Sequence, residues 1–363
     1  MNTLRLACLL FASCKALMPA ISHADEPILD NSATRLPRPA PTRADEPLAP
    51  MLSLQRAGEY LDGAAMAWMR DRQCASCHTS YPFVMARPLL GDRRAPAFVW
   101  MRQYLERRVA GWDQNGPGTG LPSEDDEAVS EVVATAATLA FDDGQATGKL
   151  HPLTRQALDR MWTLQRDDGS WNWNKHELPP QELDEYFGVV FAALGVSVAP
   201  GDYARAPSAQ AGLARLKGYL QRNPPPNLHH KLWLLWASLR LEGLLTKAER
   251  AQTIAAVLAL QRPDGGWNLP SLADWDRLDG TPNVKAADSD GYATGLVLYV
   301  LKQAGHTADE APIARGLLWL QTHQRLSGRW FTRSPNADRA HYITNAGTAY
   351  AVMALAAYGI TSE

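Results

Sequence analysis

The sequence predicts an all-α protein, built as a closed or curved stack of helical hairpins. Three observations carry this. Segment after segment places apolar residues at three-to-four spacing, the pattern of a helix with one face buried, and strand alternation is nearly absent. Gly or Pro stands in the gaps, as at Gly201, Pro224-Pro225-Pro226 and Gly305. A short Gln–Gly–Trp motif recurs where helices should end.

In chain order, residues 1–24 read as an export signal. Arg5 precedes an apolar run from Leu6 to Cys14, and Ser22-His23-Ala24 offers a cleavage site before Asp25. Lys15 interrupts the run, so a spanning helix is not expected. Lipid attachment at Cys14, after Phe11-Ala12-Ser13, is the alternative processing. The expected location is therefore periplasmic or secreted, with a lipoprotein as the variant. Simple secretion would leave Cys74 and Cys77 as the only thiols of the mature chain.

Residues 25–50 hold Pro27, Pro37, Pro39, Pro41, Pro47 and Pro50 and few large apolar side chains. Such a segment cannot offset its ordering entropy by burial, which predicts a disordered, extended tether. The folded domain is expected over 51–363. Helices are expected over 52–71, 96–111, 124–141, 152–166, 181–196, 208–222, 229–243, 247–261, 287–304, 310–323 and 343–358. Leu232, Leu235, Trp236 and Leu239 show the periodicity in one of them, and Val297, Val300, Leu301 and Ala304 in another.

Composition narrows the function classes. Apolar residues make up 46% and charged residues 20%, which excludes global disorder. A net charge of −2 lacks the basic field of a general nucleic-acid binder. No long uncharged apolar stretch follows the N-terminal run, so an integral membrane bundle is excluded.

The recurring motif reads Gln165-x-x-x-Gly169-x-Trp171, Gln261-x-x-x-Gly265-x-Trp267 and Gln324-x-x-x-Gly328-x-Trp330. Gly permits a positive φ where a helix stops. Trp can pack on a neighbouring hairpin and lend its indole N–H, and Gln can satisfy free backbone groups at the turn. These copies resemble the Gln–Trp repeats of the squalene-hopene cyclase, oxidosqualene cyclase and prenyltransferase superfamily, most strongly over about 152–358. The resemblance implies a single α/α toroid, an inner ring of helices inside an outer ring, whose inner ends line a cavity that could take an apolar or extended ligand.

The most specific local signal is Cys74-Ala75-Ser76-Cys77-His78, the c-type haem attachment pattern. Two thiols at this spacing can add to the two vinyl groups of one haem, and the adjacent His then faces the iron. A redox or disulfide pair is a second reading, although the strand–helix setting of thioredoxin-like motifs is missing. A zinc half-site is a third, but no second ligand pair stands in the sequence. Trp68 and Gln73 precede the thiols much as a helix and Gln precede the Gly–Trp turns, so this loop replaces a repeat turn. For the sixth iron position the candidates are Met101 on the next helix and Met85, beside a His, a water or an open site. Tyr81, Phe83 and Arg87 could pack on the ring and bind a propionate.

A second site signal is Asp288-Ser289-Asp290-Gly291. The resemblance places Asp290 at the middle of the cyclases' Asp-x-Asp-Asp segment, where the middle carboxyl protonates an alkene. Gly291 stands where the last Asp would be. The other reading is that Asp288 or Asp290 caps the helix starting there. Asp274, Trp275, Asp276 and Asp279 read as a solvated loop, and His229, His230, His341, Tyr342 and Asn345 as residues at helix starts. There is no prenyltransferase zinc Cys after Cys77, no Cys-Gly-Glu-Gln thioester, no phosphate-cradling Gly-rich loop and no Gly-x-Ser-x-Gly elbow.

These readings converge on an exported toroid bearing one haem c, working in electron transfer with a periplasmic redox partner or in haem-linked oxidation of a held ligand. The alternatives are a terpene-cyclase-like enzyme with Asp290 as general acid, or a non-catalytic ligand-binding toroid.

Overall fold

The computed structural model describes residues 33–112 and 126–361. The expected export signal lies outside the described residues. Among those described, regular structure is entirely helical. The helices are α1 (Leu54–Arg72), α2 (Ser80–Ala86), α3 (Pro96–Gly111), α4 (Asp126–Ala146), α5 (Pro152–Thr163) and α6 (Glu185–Val198), then α7 (Pro207–Arg222), α8 (Leu228–Ser238), α9 (Lys247–Ala259), α10 (Gly291–Gln303), α11 (Ala311–Thr322) and α12 (Ile343–Ala357). No described helix is long and apolar enough to cross a membrane.

The even-numbered helices close a ring. Each packs on the next, α2 on α4, α4 on α6, α6 on α8, α8 on α10, α10 on α12, and α12 back on α2. The odd-numbered helices lie outside, so the chain forms hairpins of one outer and one inner helix. This is the α/α toroid expected from the repeats. Burial sorts the two layers. In α10 every residue from Gly291 to Leu301 is buried, and in α12 every residue from Ile343 to Leu355. Outer α9 buries only Thr253 and Val257. A helix that is apolar all round must be enclosed, whereas an amphipathic one can face water. Backbones of α10 and α12 meet at Gly295, where a Cβ would stand 2.4 Å from the backbone of Tyr350 and Ala351.

The three Gln–Trp turns are one device used three times. Each joins an outer helix to the next inner one: α5 to α6, α9 to α10, α11 to α12. Each Gly takes a positive φ, 95° at Gly169, 96° at Gly265 and 91° at Gly328. The Gln amide donates to that Gly's carbonyl at 2.8–3.1 Å. It also donates to a carbonyl on a neighbouring outer helix or its cap, Gly212 from Gln165, Pro312 from Gln261, Ser53 from Gln324. Each indole, fully buried, donates to a carbonyl ten residues earlier, on Met161, Val257 and Leu320, at 2.8 Å every time. The last turn thus ties α11 to the start of α1 and closes the outer ring.

Two expectations are corrected here. Helix α2 was not anticipated, because seven residues with Pro82 inside give too short a pattern to register. The segment 36–50 is not a free tether. Ala49 N–H donates to Gln324 O at 2.7 Å, and Leu326 N–H to Pro47 O at 3.0 Å. The Arg329 guanidinium, 2% exposed, pairs with Glu46 at 2.9 Å and donates to Thr42 Oγ1 and Ala40 O. The segment has no core of its own, but its backbone and Glu46 satisfy Arg325 and Arg329 on the third turn, and the strap is held by those bonds.

Candidate functional site

The inner helices all enter the ring from the same end, and the chemistry-bearing residues gather there. The Cys74–His78 segment is the connection from α1 to α2, the same place in the hairpin that the Gln–Trp turns occupy elsewhere. Gln73 ends α1 with φ 56°, so it takes the left-handed position that Gly holds in the other turns. Trp68 Nε1 donates to Cys74 O at 2.9 Å, and Tyr104 OH to Gln73 O at 3.2 Å. Tyr104 lies one turn beyond Met101 on the same face of α3, which runs beside this loop. Met101 itself is fully buried in the core, as is Met85.

His78 is held on three sides. Its ring stacks on Tyr342 (centroids 5.5 Å, planes 13° apart) and meets the edge of Trp68 at 4.5 Å. Nδ1 lies 2.7 Å from Thr79 Oγ1, to which Asn345 Nδ2 donates at 2.9 Å. Tyr60 OH donates in turn to Asn345 Oδ1 at 2.6 Å. This chain engages Nδ1 and leaves Nε2 as the ring nitrogen outside it. Burial, helped by the Arg72 charge, lowers the imidazole to about 4, so it is neutral.

The two thiols are free of disulfide. Burial and the neighbouring Glu182 carboxyl push the Cys77 thiol up, so it is not an activated thiolate. Glu182 hydrogen-bonds to Cys77 and is itself raised to about 7, chiefly by burial. Tyr292 and Tyr350 lie within electrostatic reach of Cys77, and Tyr350 hydrogen-bonds to Tyr292 and Gln181. Among the described residues no three His, Cys, Asp or Glu side chains converge to hold a bare metal ion. A haem iron brings four porphyrin nitrogens and asks far less of the chain. Two cysteines outside any disulfide at the attachment spacing, followed by a neutral His whose Nδ1 is engaged, fit that group.

Asp290 caps α10. Oδ1 accepts from Ala293 N at 2.9 Å and Oδ2 from Leu269 N at 2.5 Å, with Thr332 Oγ1 at 3.5 Å. Burial raises it to about 7. Both oxygens are spent on backbone, so the carboxyl fastens loop 268–290 to the start of α10.

Other anticipated residues sit elsewhere. Arg87 is committed to Asp62 at 2.8 and 3.1 Å. Trp275 is not a solvated loop residue: it is buried, with its edge against His229 at 5.7 Å. Its loop is closed by Arg277, whose side chain pairs with Asp279 and Asp338. Tyr342 and Asn345 belong to the His78 surroundings. Sequence reasoning missed Tyr60, Gln181, Glu182, Tyr292 and Tyr350, which reach the site through contacts remote in sequence.

The class of protein defined so far is an α/α toroid, with six hairpins among the described residues and a Cys-x-x-Cys-His connection at its inner-helix end. No family model matches the chain, and no curated protein matches it. Solved structures that match include a polysaccharide lyase, 11% identical, at a TM-score of 0.30, over 84% of this chain and 88% of that one. A likeness that weak carries no argument about activity.

Proposed function

We propose that the chain is an exported c-type haem protein that exchanges electrons with a periplasmic redox partner. Cys74 and Cys77 would hold one haem covalently, and His78 Nε2 would ligate its iron. When bound, the haem supplies one-electron oxidation and reduction. The chain's part is to fix the imidazole. Thr79, Asn345 and Tyr60 hold Nδ1, while Tyr342 and Trp68 bracket the ring, so the ligand meets its iron already oriented. Met101, on the helix flanking the loop, would be the candidate second protein ligand to the iron. The toroid keeps the loop rigid, because α2 begins immediately after it and belongs to the closed inner ring.

The observation that carries this reading is the hydrogen-bonded His78 standing next to two cysteines outside any disulfide, in a hairpin connection that replaces a Gln–Trp turn. The test is an absorption spectrum of the mature protein, made in cells that attach haem c, in both redox states. The expected result is a Soret band and reduced α and β bands, with His78→Ala changing the spin state. A colourless protein would overturn the reading.

A further inference from the structure

A second polar focus lies at the N-terminal ends of α8 and α10, and it makes no use of the thiols. His229, the second residue of α8, is fully buried. Its Nε2 receives Trp233 Nε1 at 3.2 Å and lies 3.0 Å from Tyr292 OH. An indole nitrogen can only donate. The facing Nε2 therefore carries the lone pair, and in the neutral ring the proton sits on Nδ1. That Nδ1–H is buried and has no hydrogen-bond partner among the described residues.

A second donor is in the same condition beside it. Trp275 Nε1, also donor-only, is buried and unpartnered among the described residues, and its ring meets the His229 ring edge-on at 5.7 Å. Beside these rings His230 Nε2 lies 3.2 Å from Asp184 Oδ1, and its Nδ1 lies 2.7 Å from Asn227 Oδ1. The walls are aromatic, with Phe187 stacked on His229 at 5.9 Å and Trp233 and Tyr292 in contact with it. An unpaired buried donor is costly. Two unpaired donors on touching rings call for one acceptor group able to take both N–H bonds, as the two oxygens of a carboxylate can.

We infer that His229 Nδ1 and Trp275 Nε1 together bind the carboxylate of a small organic acid in the toroid. The site is independent of the haem reading, and either can fail alone. Loop 268–290 brings Trp275 to it and is pinned to α8 by the His229 N–H on Leu272 O, at 3.1 Å.

The experiment is titration of the full mature protein with sodium acetate and with sodium benzoate, followed by calorimetry and by nitrogen NMR of the histidine rings. Ethylammonium chloride is the control, because its cation has no acceptor and its chloride separates carboxylate binding from binding of any small anion. The expected result is saturable binding of at least one carboxylate, a shift at the His229 Nδ1–H signal, and no binding of the control. Trp275→Phe and His229→Phe keep an aromatic ring and remove the proposed donors, the second also removing the acceptor of Trp233 Nε1; either should weaken binding about ten- to a hundredfold while melting curves confirm a folded protein. Binding unchanged in both variants, no saturable binding of either acid, equal binding of the control, a His229 spectrum with the proton on Nε2, or a crystal structure with only an undisplaced water between the two N–H groups would each overturn it.

Discussion

Three outer-to-inner connections, after α5, α9 and α11, and the connection after α1 solve the same turn differently. In the three, Gln and Trp side chains are spent on backbone carbonyls and a glycine takes the positive φ. Every polar atom the motif contributes has a structural partner, and nothing remains with which to do chemistry. In the first connection Gln73 takes the left-handed position itself, and Trp68, from within α1, makes the indole bond to Cys74 O. The residues that follow are therefore released from turn-building. They are two thiols and an imidazole. The contrast shows where a repeat can be modified without opening the ring: an indole-to-carbonyl bond is kept, and the other side chains are exchanged.

If that contrast is right, damage to a Gln–Trp turn should be felt throughout the fold. Trp330→Ala removes a fully buried indole and its bond to Leu320 O, and should lower stability by about 3–5 kcal/mol in denaturant unfolding. The double change Cys74→Ala with Cys77→Ala, in protein without haem, should cost far less by the same measurement. Equal losses would mean that the first connection is as structural as the others.

The next effect is in pH dependence. Asp290 and Glu182 are both raised to about 7 by burial, from ordinary carboxyl values near 4. Between about pH 4 and pH 7 the unfolded chain releases these protons while the folded one keeps them, so each carboxyl's contribution to stability falls as pH rises. Unfolding curves of Glu182→Gln and Asp290→Asn should close on or overtake wild type by at least about 1 kcal/mol between pH 4 and pH 7.5. A gap constant with pH would mean that neither carboxyl is held protonated. The buried His78 acts in the opposite sense: lowered to about 4, it favours folding increasingly from pH 4 to 6.5. For that reason the comparison must be with each variant and not with wild type alone.

The smallest effect is a gain. Gln73→Gly should stabilise the fold by a few tenths to about 1 kcal/mol, because glycine adopts φ 56° without a Cβ penalty. A loss would show that the Gln73 side chain does work in its turn comparable to that of Gln165.

The fold was legible because helix periodicity and the Gln–Gly–Trp spacing are local signals, each with a geometric meaning that does not depend on distant residues. Helix α2 was hidden by its length, and the strap at 36–50 by a composition argument that counted apolar burial but not the backbone bonds a partner could supply. The site was half legible. Cys74, Cys77 and His78 announce themselves by spacing. Asn345 and Tyr60 reach His78 only because α12 and α1 close the ring beside α2, and Trp275 looked solvated because its neighbours in sequence are acidic. Contacts between residues hundreds of positions apart leave no mark in a local pattern.

The most direct measurement of the central claim is the intact mass of the mature chain, isolated from cells able to attach haem c and read under non-reducing conditions. The account expects the polypeptide mass plus one haem, unchanged by reductant. A mass lower by two hydrogens, restored by reductant, would instead identify Cys74 and Cys77 as a disulfide pair and contradict it.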